Sequence, residues 1–156
     1  LFGISDEFSR IRLDLVVNIL VTKALTEGKL TVFGGEQWRP LLHVVDVANA
    51  IAHTIESDVT GIFNLHYKNF KIIDIAEAII EKVPSASIET TPMKFQDARN
   101  YQVSSEKLYK ESGFKASTNL TKGIEEVYDL ISNNRIKNVH HNRYSNQNFL
   151  EEYGIS

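Results

Sequence analysis

The segment Phe33–Pro40 combines residue types that suit recognition of an anionic ligand. Two consecutive glycines permit a tight turn directly after a short apolar strand. Pro40 holds the residue before it in extended backbone, so this loop presents the indole of Trp38 beside the guanidinium of Arg39. A guanidinium binds phosphate through two parallel hydrogen bonds. The alternative is a surface ion pair for Arg39 with Trp38 in the core, and the pattern alone leaves both interpretations open.

Two further polar residues are candidates for ligand contact. Asn18 interrupts the apolar series Leu15–Leu20, and a buried amide requires hydrogen-bond partners, either protein backbone or a ligand oxygen. Arg99 lies in the polar stretch Asp97–Tyr101 between two elements, where either a solvated side chain or a ligand contact is expected. The candidate binding residues are Asn18, Trp38, Arg39 and Arg99.

Residues with catalytic potential do not form a recognisable catalytic set. Tyr67 and Lys71 have the Tyr-x-x-x-Lys spacing that places a phenol beside an ammonium on one helical face. They lie in a strand-to-helix connection, however, so we interpret the spacing as coincidental. The adjacent His140 and His141 cannot both point at one metal ion, and the sequence has no nucleophile elbow and no Gly-x-Gly-x-x-Gly loop. We therefore predict no catalytic residue, no metal site and no cofactor site within this segment.

The composition is that of an ordinary globular domain. The 156 residues are 42% hydrophobic and contain no cysteine, which excludes disulfide scaffolds, zinc–thiolate sites and thiol nucleophiles. A net charge of −3 gives no general attraction to nucleic acid or to anionic membranes, and no stretch is apolar enough to span a bilayer. Because the chain starts at Leu1, without a methionine or the pattern of a signal peptide, we expect a cytoplasmic fragment of a longer protein.

Helices and short strands alternate along the chain, which predicts a small mixed α/β domain. Apolar periodicity, turn residues and helix caps predict the following elements: helix 10–26, strand 30–33, an extended run 41–44, a helix from the N-cap Asp46, strand 62–65, a helix from Asp74 to Val83, strand 87–90, a helix from the N-cap Ser104 to Gly113, and helix 121–131. The strands are few and short, which indicates an accessory layer rather than a complete doubly wound sheet.

Residues 133–148 differ in composition from the rest of the chain. They are rich in Asn, His and Arg, contain no acidic residue and show little apolar periodicity. They form either a basic arm or a surface tail that lies on its own domain, and we favour the tail. The expected organisation is therefore an α/β domain over residues 1–132 and a polar tail over 133–156.

A series of short motifs follows in order along residues 1–132. The motifs are Leu1–Gly3, Arg12–Asn18, Lys29–Ala48, Gly61–Leu65, Asp97–Lys107, Ser112–Phe114 and Thr121–Ile124. Together they resemble the NAD-dependent epimerase/dehydratase family, the extended short-chain dehydrogenases that act on nucleotide sugars. Each motif is weak alone, and their agreement in order makes the resemblance specific.

The resemblance implies that this chain is the C-terminal, substrate-binding part of such an enzyme, without its Rossmann NAD-binding half. Arg39 and Arg99 match positions that contact the substrate diphosphate. Asn18 lies near a variable position that often hydrogen-bonds the same group, and stacking of Trp38 on the base or sugar is a further hypothesis. The binding energy of the diphosphate would orient the sugar for chemistry carried out elsewhere.

The same resemblance implies the properties of the parent protein. NAD or NADP would bind mainly to a preceding half, which would also supply the catalytic Tyr-x-x-x-Lys, so this segment alone would be inactive. The implied partner is a nucleotide sugar, and the implied parent is a cytoplasmic homodimer. His43 and Asp46 match a structural pattern, with Asp46 as a helix cap. The alternative is a non-catalytic binding or interaction module derived from the same fold.

Overall fold

A computed structural model describes residues 1–6, 8–92 and 99–154 of the chain. In chain order the elements are α1 (Val16–Glu27), β1 (Lys29–Phe33), β2 (Trp38–Leu41), α2 (Val44–Ile55), β3 (Lys68–Lys71), α3 (Ile72–Lys82), β4 (Ser87–Thr91), α4 (Glu106–Ser112), α5 (Leu120–Ser132), a short 3₁₀ turn (Asn142–Tyr144) and α6 (Asn146–Glu152). This mixture confirms the predicted mixed α/β class.

The strands form two separate pairs. β1 and β4 are parallel, and the chain between them supplies the crossover that a parallel pair requires. β2 and β3 are antiparallel, with Arg39 opposite Phe70 and Trp38 opposite Lys71. A single parallel bridge also joins Phe2 to the segment that follows β2. Trp38 and Arg39, which the sequence analysis placed in a loop, lie on β2, so the second pair carries the candidate site.

Helices α1 and α3 pack against β1, α5 packs against both of these helices, and together they enclose the main core. Its most deeply buried side chains are Phe2, Val17, Val21, Leu30, Val32, Leu41, Ile75, Ile79, Ile124 and Val127. Removing this apolar surface from water is the main source of stability. Because Leu30 and Val32 of β1 belong to this core, it fixes the strand from which the turn to Trp38 begins.

The first helix begins at Val16 rather than at residue 10, where the prediction was wrong. The preceding residues run along the C-terminal segment instead, and the Leu13 amide donates to the Tyr144 carbonyl at 2.9 Å. Ile11 and Leu13 are buried there in a small second cluster. Ile11 lies at helical spacing from Leu15 and Ile19, but it is buried against a partner distant in sequence, which periodicity alone cannot distinguish from a helix.

The N-cap of α2 is His43, and the prediction that Asp46 caps this helix was wrong. His43 Nδ1 accepts a hydrogen bond from the Val45 amide at 3.2 Å. Asp46 is buried within the first turn, where Oδ2 accepts from the amides of Ser117 and Thr118 at 3.2 and 2.9 Å. The carboxylate thus joins α2 to the loop before α5, a long-range contact that local capping patterns do not contain.

The strand predicted over residues 62–65 is not formed, and Ile62 is largely exposed. Pairing with β2 begins where the Tyr67 amide donates to the Leu41 carbonyl at 2.7 Å, and the strand follows as β3. The extended run predicted over 41–44 is likewise displaced, because β2 ends at Leu41 and α2 starts three residues later. In both cases the available hydrogen-bond partner, rather than β propensity, decides where the strand lies.

The other boundaries agree closely with the prediction. α3 stops before Pro84, and the Asp74 carboxylate accepts from the Lys71 amide at 3.3 Å in a capping-box contact, although Lys71 and not Asp74 is the N-cap. α4 begins one residue later than predicted, since Ser105 is the N-cap, and it ends at Gly113. β1, β4 and α5 lie where the pattern placed them, to within one residue at each end.

Residues 133–154 lie against their own domain. Ile136 is buried in the second cluster, and the Asn146 amide donates to Asp14 Oδ2 at 3.0 Å. The Arg10 guanidinium lies 4.6 Å from the centre of the Phe149 ring. In the part of the chain that the structure describes, no helix has the length and apolar character needed to cross a membrane.

Candidate functional site

The turn that leads to Trp38 is held rigidly by Gln37. Its Oε1 accepts from the Gly35 amide at 2.8 Å, and its Nε2 donates to the Phe33 carbonyl at 2.7 Å. The Gln37 carbonyl also accepts from the Ile72 amide at the start of α3. This side chain is buried, so the turn between β1 and β2 has one defined shape. The sequence analysis missed Gln37, although a polar residue beside two glycines is a signal for such a turn.

Arg39 is buried, with 8% of its surface exposed. Its Nη1 donates to the carbonyl of Trp38 at 2.8 Å and to the carbonyl of Arg99. The guanidinium therefore connects two chain segments that are sixty residues apart. Arg39 is therefore not an exposed surface side chain.

Trp38 is half-buried at the start of β2, so the alternative of a core tryptophan does not hold either. Its amide donates to Asn100 Oδ1 at 2.9 Å, and its carbonyl accepts from the Tyr101 amide at 3.5 Å. These contacts attach the segment that follows Arg99 to the edge of β2. Asn100 was not singled out from the sequence, because nothing near it in the chain indicates its partner.

A lysine cation lies near the Trp38 ring. Lys71 Nζ is 5.8 Å from the ring centre and 2.7 Å from Glu36 Oε2. The hydrogen bond to Glu36 raises the pKa of Lys71 above its ordinary value, so the ammonium remains charged at neutral pH. Lys71 thus places positive charge near the indole, and Glu36 offsets that charge in part.

Arg99 is exposed, and its backbone carbonyl accepts from Arg39. The structure therefore brings together three of the four predicted binding residues: Trp38, Arg39 and Arg99. Asp97 and Ala98, which precede Arg99 in its motif, lie outside the described residues. Two arginines and a half-buried tryptophan on neighbouring segments are residue types suited to a phosphate group with an attached ring.

Asn18 belongs to a different cluster of hydrogen bonds. It is 0% exposed, and its Oδ1 accepts from the Gly3 amide at 3.1 Å. Its Nδ2 donates to the carbonyls of Gly3 and Arg12 at 3.2 and 2.8 Å. Of the two partners left open by the sequence, the protein backbone is the one that this structure shows.

His43 has a structural role in this geometry, as its motif implied. Its Nδ1 accepts from a backbone amide, so Nε2 carries the proton and donates to Glu126 Oε2 at 2.8 Å. The ring is 1% exposed and packs edge-on against Phe2, with ring centres 5.1 Å apart. The pair joins α2 to α5 near the bridge made by Phe2.

No catalytic arrangement is found among the residues described. Tyr67 stacks on Phe70, and Lys71 ends a strand, so this pair does not share a helical face. Residues 1–6, 8–92 and 99–154 contain no group of three His, Asp or Glu side chains that could hold a metal ion.

Comparisons with known proteins relate the chain to NAD-dependent sugar-nucleotide enzymes. The sequence model of the NAD dependent epimerase/dehydratase family matches residues 5–65, a region that includes Trp38 and Arg39 but not Arg99. UDP-glucuronic acid decarboxylase 1 of Arabidopsis thaliana is 28% identical over 121 residues, which cover 76% of this chain and 28% of that protein.

Solved structures share the fold at lower sequence identity. The NAD-dependent NDP-hexosamine 5,6-dehydratase TunA, of tunicamycin biosynthesis, has a TM-score of 0.70 at 17% identity, covering 81% of this chain and 43% of that one. The UDP-glucose 4-epimerase of Thermotoga maritima, solved with UDP-glucose, has a TM-score of 0.70 at 18% identity, covering 87% and 44%. The chain thus spans less than half the length of these relatives.

Proposed function

We propose that this chain is the substrate-binding part of an NAD(P)-dependent nucleotide-sugar epimerase or dehydratase, and that it anchors the diphosphate of the substrate. The observation that carries the proposal is the contact of Arg39 with the carbonyls of Arg99 and of the half-buried Trp38. The similarity to enzymes of this class supports the choice of a nucleotide sugar over other phosphate ligands.

Each site residue has a role in this proposal. The exposed Arg99 and the buried Arg39 neutralise the diphosphate, and Trp38 stacks on the base or sugar. Asn18 fixes the backbone of Gly3 and Arg12, and its contact with a ligand would require one of those hydrogen bonds to be released. Binding at the diphosphate places the sugar for reaction without any bond-making group from this chain.

The residues present do not fit a dinucleotide cofactor. In dinucleotide-binding folds a glycine-rich turn leads from a strand into a helix, whose first N–H groups hold the pyrophosphate. Here Gly34 and Gly35 lead from β1 into β2, which is another strand. We therefore propose that NAD or NADP is held mainly outside this chain. We also propose that residues 1–132 form the binding domain with 133–156 as its tail, and that the parent is a cytoplasmic homodimer.

Trp38 is the only tryptophan in the sequence, so its fluorescence reports directly on the proposed site. We expect titration of the chain with UDP-, GDP-, CDP- and dTDP-sugars to change this fluorescence selectively for one nucleotide. Arg99→Ala should weaken that binding by about tenfold or more, because a charge-assisted phosphate contact is lost. Arg39→Lys should weaken it too, since lysine keeps the charge but not the planar fork.

The matched control is Lys29→Ala. This variant removes an exposed cation that pairs with Glu89 within the β1–β4 sheet, away from the candidate site on β2. This variant should bind as the original chain does. A chain that binds none of the four nucleotide sugars, or an Arg99→Ala variant with unchanged affinity, would contradict the proposed function.

A further inference from the structure

The segment that carries Arg99 is held at a second place, beyond its contacts with Trp38, by Asn69 on β3. Asn69 Oδ1 accepts from the Val103 amide at 3.0 Å, and its Nδ2 donates to the Val103 carbonyl at 3.0 Å. The side-chain amide of Asn69 thus bonds to both the backbone amide and the backbone carbonyl of Val103, as a neighbouring strand would. The two contacts also establish which end of the amide is oxygen and which is nitrogen.

This orientation determines the proton position on His66. The second hydrogen of Asn69 Nδ2 faces His66 Nε2 at 3.3 Å, so Nε2 is an acceptor and the proton of the neutral ring is on Nδ1. His66 Nδ1 then donates to Ser105 Oγ at 2.6 Å, and the His66 amide donates to the same oxygen at 2.8 Å. His66, Asn69, Val103 and Ser105 form what we call the Asn69 cluster.

The Asn69 cluster is not a hydrolytic dyad, although it contains a serine beside a histidine. Ser105 Oγ already accepts from two N–H groups, and the ring nitrogen facing it carries a proton. His66 therefore cannot remove the proton of Ser105 in this arrangement. The role of the cluster is structural, because its hydrogen bonds attach residues 103–105 to the β3 side of the sheet.

The two attachments act on the same short segment. Asn100 and Tyr101 are bonded to Trp38 on β2, and Val103 is bonded to Asn69, which lies opposite Pro40 in the register of β2 and β3. Residues 99–105 are thus held at both ends to one two-stranded sheet. The Arg99 carbonyl, bonded to Arg39, lies at the start of this segment.

We propose that Asn69 is a positioning residue for the diphosphate site, and that the neutral ring of His66 keeps its amide in the orientation that holds residues 99–105 on β2 and β3. The inference rests on the proposed function, and it names residues that act through Arg99 rather than by touching the ligand. Since binding depends on the placement of Arg99, loosening the far end of its segment weakens the site.

The cluster has a defined response to acid. A protonated His66 has N–H groups at both ring nitrogens, so Nε2 would face the Asn69 donor and that hydrogen bond would be lost. Burial lowers the pKa of His66 below its ordinary value of 6.5, so the neutral ring and its hydrogen bond with Asn69 are present at neutral pH. They are lost as the pH falls through the lowered pKa. The other titratable or charged residues lining the adjoining cavity are Tyr67, Glu106, Tyr109 and Lys115.

Asn69→Ala tests the positioning role, with UDP-glucose as the first probe and the preferred nucleotide sugar thereafter. We expect the amide hydrogen of Val103 to exchange at least tenfold faster, and the affinity read from Trp38 fluorescence to fall about tenfold. Asn69→Asp, which keeps the acceptor for Val103 but loses both donors, should give an intermediate loss. The exposed Asn64→Ala is the control and should change neither quantity.

A pH series separates positioning from a merely structural role. The diphosphate of a nucleotide sugar is a diester that does not titrate near neutral pH, so a change in affinity reports on the protein. The affinity of the original chain should fall with decreasing pH, whereas His66→Gln, whose amide oxygen replaces the Nε2 acceptor, should remove that dependence. His66→Asn retains only the donor to Ser105, and should bind weakly at every pH.

The outcomes distinguish this inference from the function on which it rests. If the original chain binds nucleotide sugars but Asn69→Ala binds equally well while Val103 exchanges faster, the positioning role is wrong and the proposed function stands. If the pH dependence survives in His66→Gln, the role of the neutral ring is wrong. If the original chain binds no nucleotide sugar, the proposed function fails and this inference fails with it.

Discussion

At the scale of single residues, buried polar side chains in this protein connect backbone segments that are distant in sequence. Asn18 joins Gly3 and Arg12 to α1, and Asp46 joins α2 to the loop before α5. Asn69 does the same for Val103. A buried amide or carboxylate is costly unless it is fully hydrogen-bonded, so each of these contacts defines one arrangement of the chain.

Replacement of Asn18 should therefore affect folding before it affects binding. Asn18→Ala leaves the Gly3 amide and the carbonyls of Gly3 and Arg12 buried without this partner, and we expect a loss of about 2–4 kcal/mol in the free energy of unfolding. Urea denaturation measures the loss. The control, Asn49→Ala on the exposed side of α2, should change stability by no more than about 0.5 kcal/mol. A wild-type unfolding free energy for Asn18→Ala would contradict the structural role.

At the scale of elements, α5 approaches the N-terminal segment unusually closely. A Cβ atom at Gly123 would lie 2.4 Å from two atoms of the Phe2 ring, and Phe2 is itself 0% exposed against His43. Glycine normally weakens a helix interior. Here it is required because any larger side chain would collide with the Phe2 ring. Through this contact the helix fixes the bridge between Phe2 and the chain that follows β2.

Gly123→Ala tests this contact, because helix propensity and packing change the free energy of unfolding in opposite directions. Propensity alone predicts a gain of about 1 kcal/mol, whereas overpacking against Phe2 costs about 1–3 kcal/mol. We expect net destabilisation, measured as a lower midpoint of thermal unfolding. Asp129→Ala, exposed on the same helix, should leave the midpoint nearly unchanged. A raised midpoint for Gly123→Ala would show that α5 does not approach Phe2 in this way.

At the scale of the whole molecule, residues 10–14 pack against the C-terminal segment and do not extend α1. Residues 10–14 and 136–149 pack side by side, with Ile136 buried against Ile11, Leu13 and Leu130. The two ends of the chain are therefore joined through a small cluster separate from the main core. A cavity of about 320 Å³ lies between α1 and this segment.

Ile136→Ala should loosen this second cluster without disturbing the candidate site. Truncation of a buried isoleucine costs about 2–3 kcal/mol in the free energy of unfolding, here concentrated in the C-terminal segment. Limited proteolysis should cut that segment faster, while the fluorescence of Trp38 with nucleotide sugars should not change. The exposed Lys137→Ala is the control. Equal proteolysis of the two variants would mean that Ile136 does not hold the segment in place.

Prediction from the sequence succeeded where a signal is local. The ends of α3, α4 and α5 follow from Pro84, Gly113 and Asn119, because proline and capping residues act within a few positions of the chain. It failed for the start of α1, the cap of α2 and the strand over residues 62–65. In each of those cases a partner far along the chain supplied the hydrogen bonds.

The sequence by itself determined the mixed α/β class, the boundaries of β1, β4, α4 and α5 to within one residue, and the residue types suited to a phosphate ligand at Trp38, Arg39 and Arg99. Only the tertiary structure decided that these three meet while Asn18 bonds to backbone elsewhere. Only the structure showed that Asn69 and His66 hold the segment that follows Arg99. The physical reason is that hydrogen bonds between groups sixty or thirty residues apart depend on how β2, β3 and the 99–105 segment pack, and no local pattern encodes that contact.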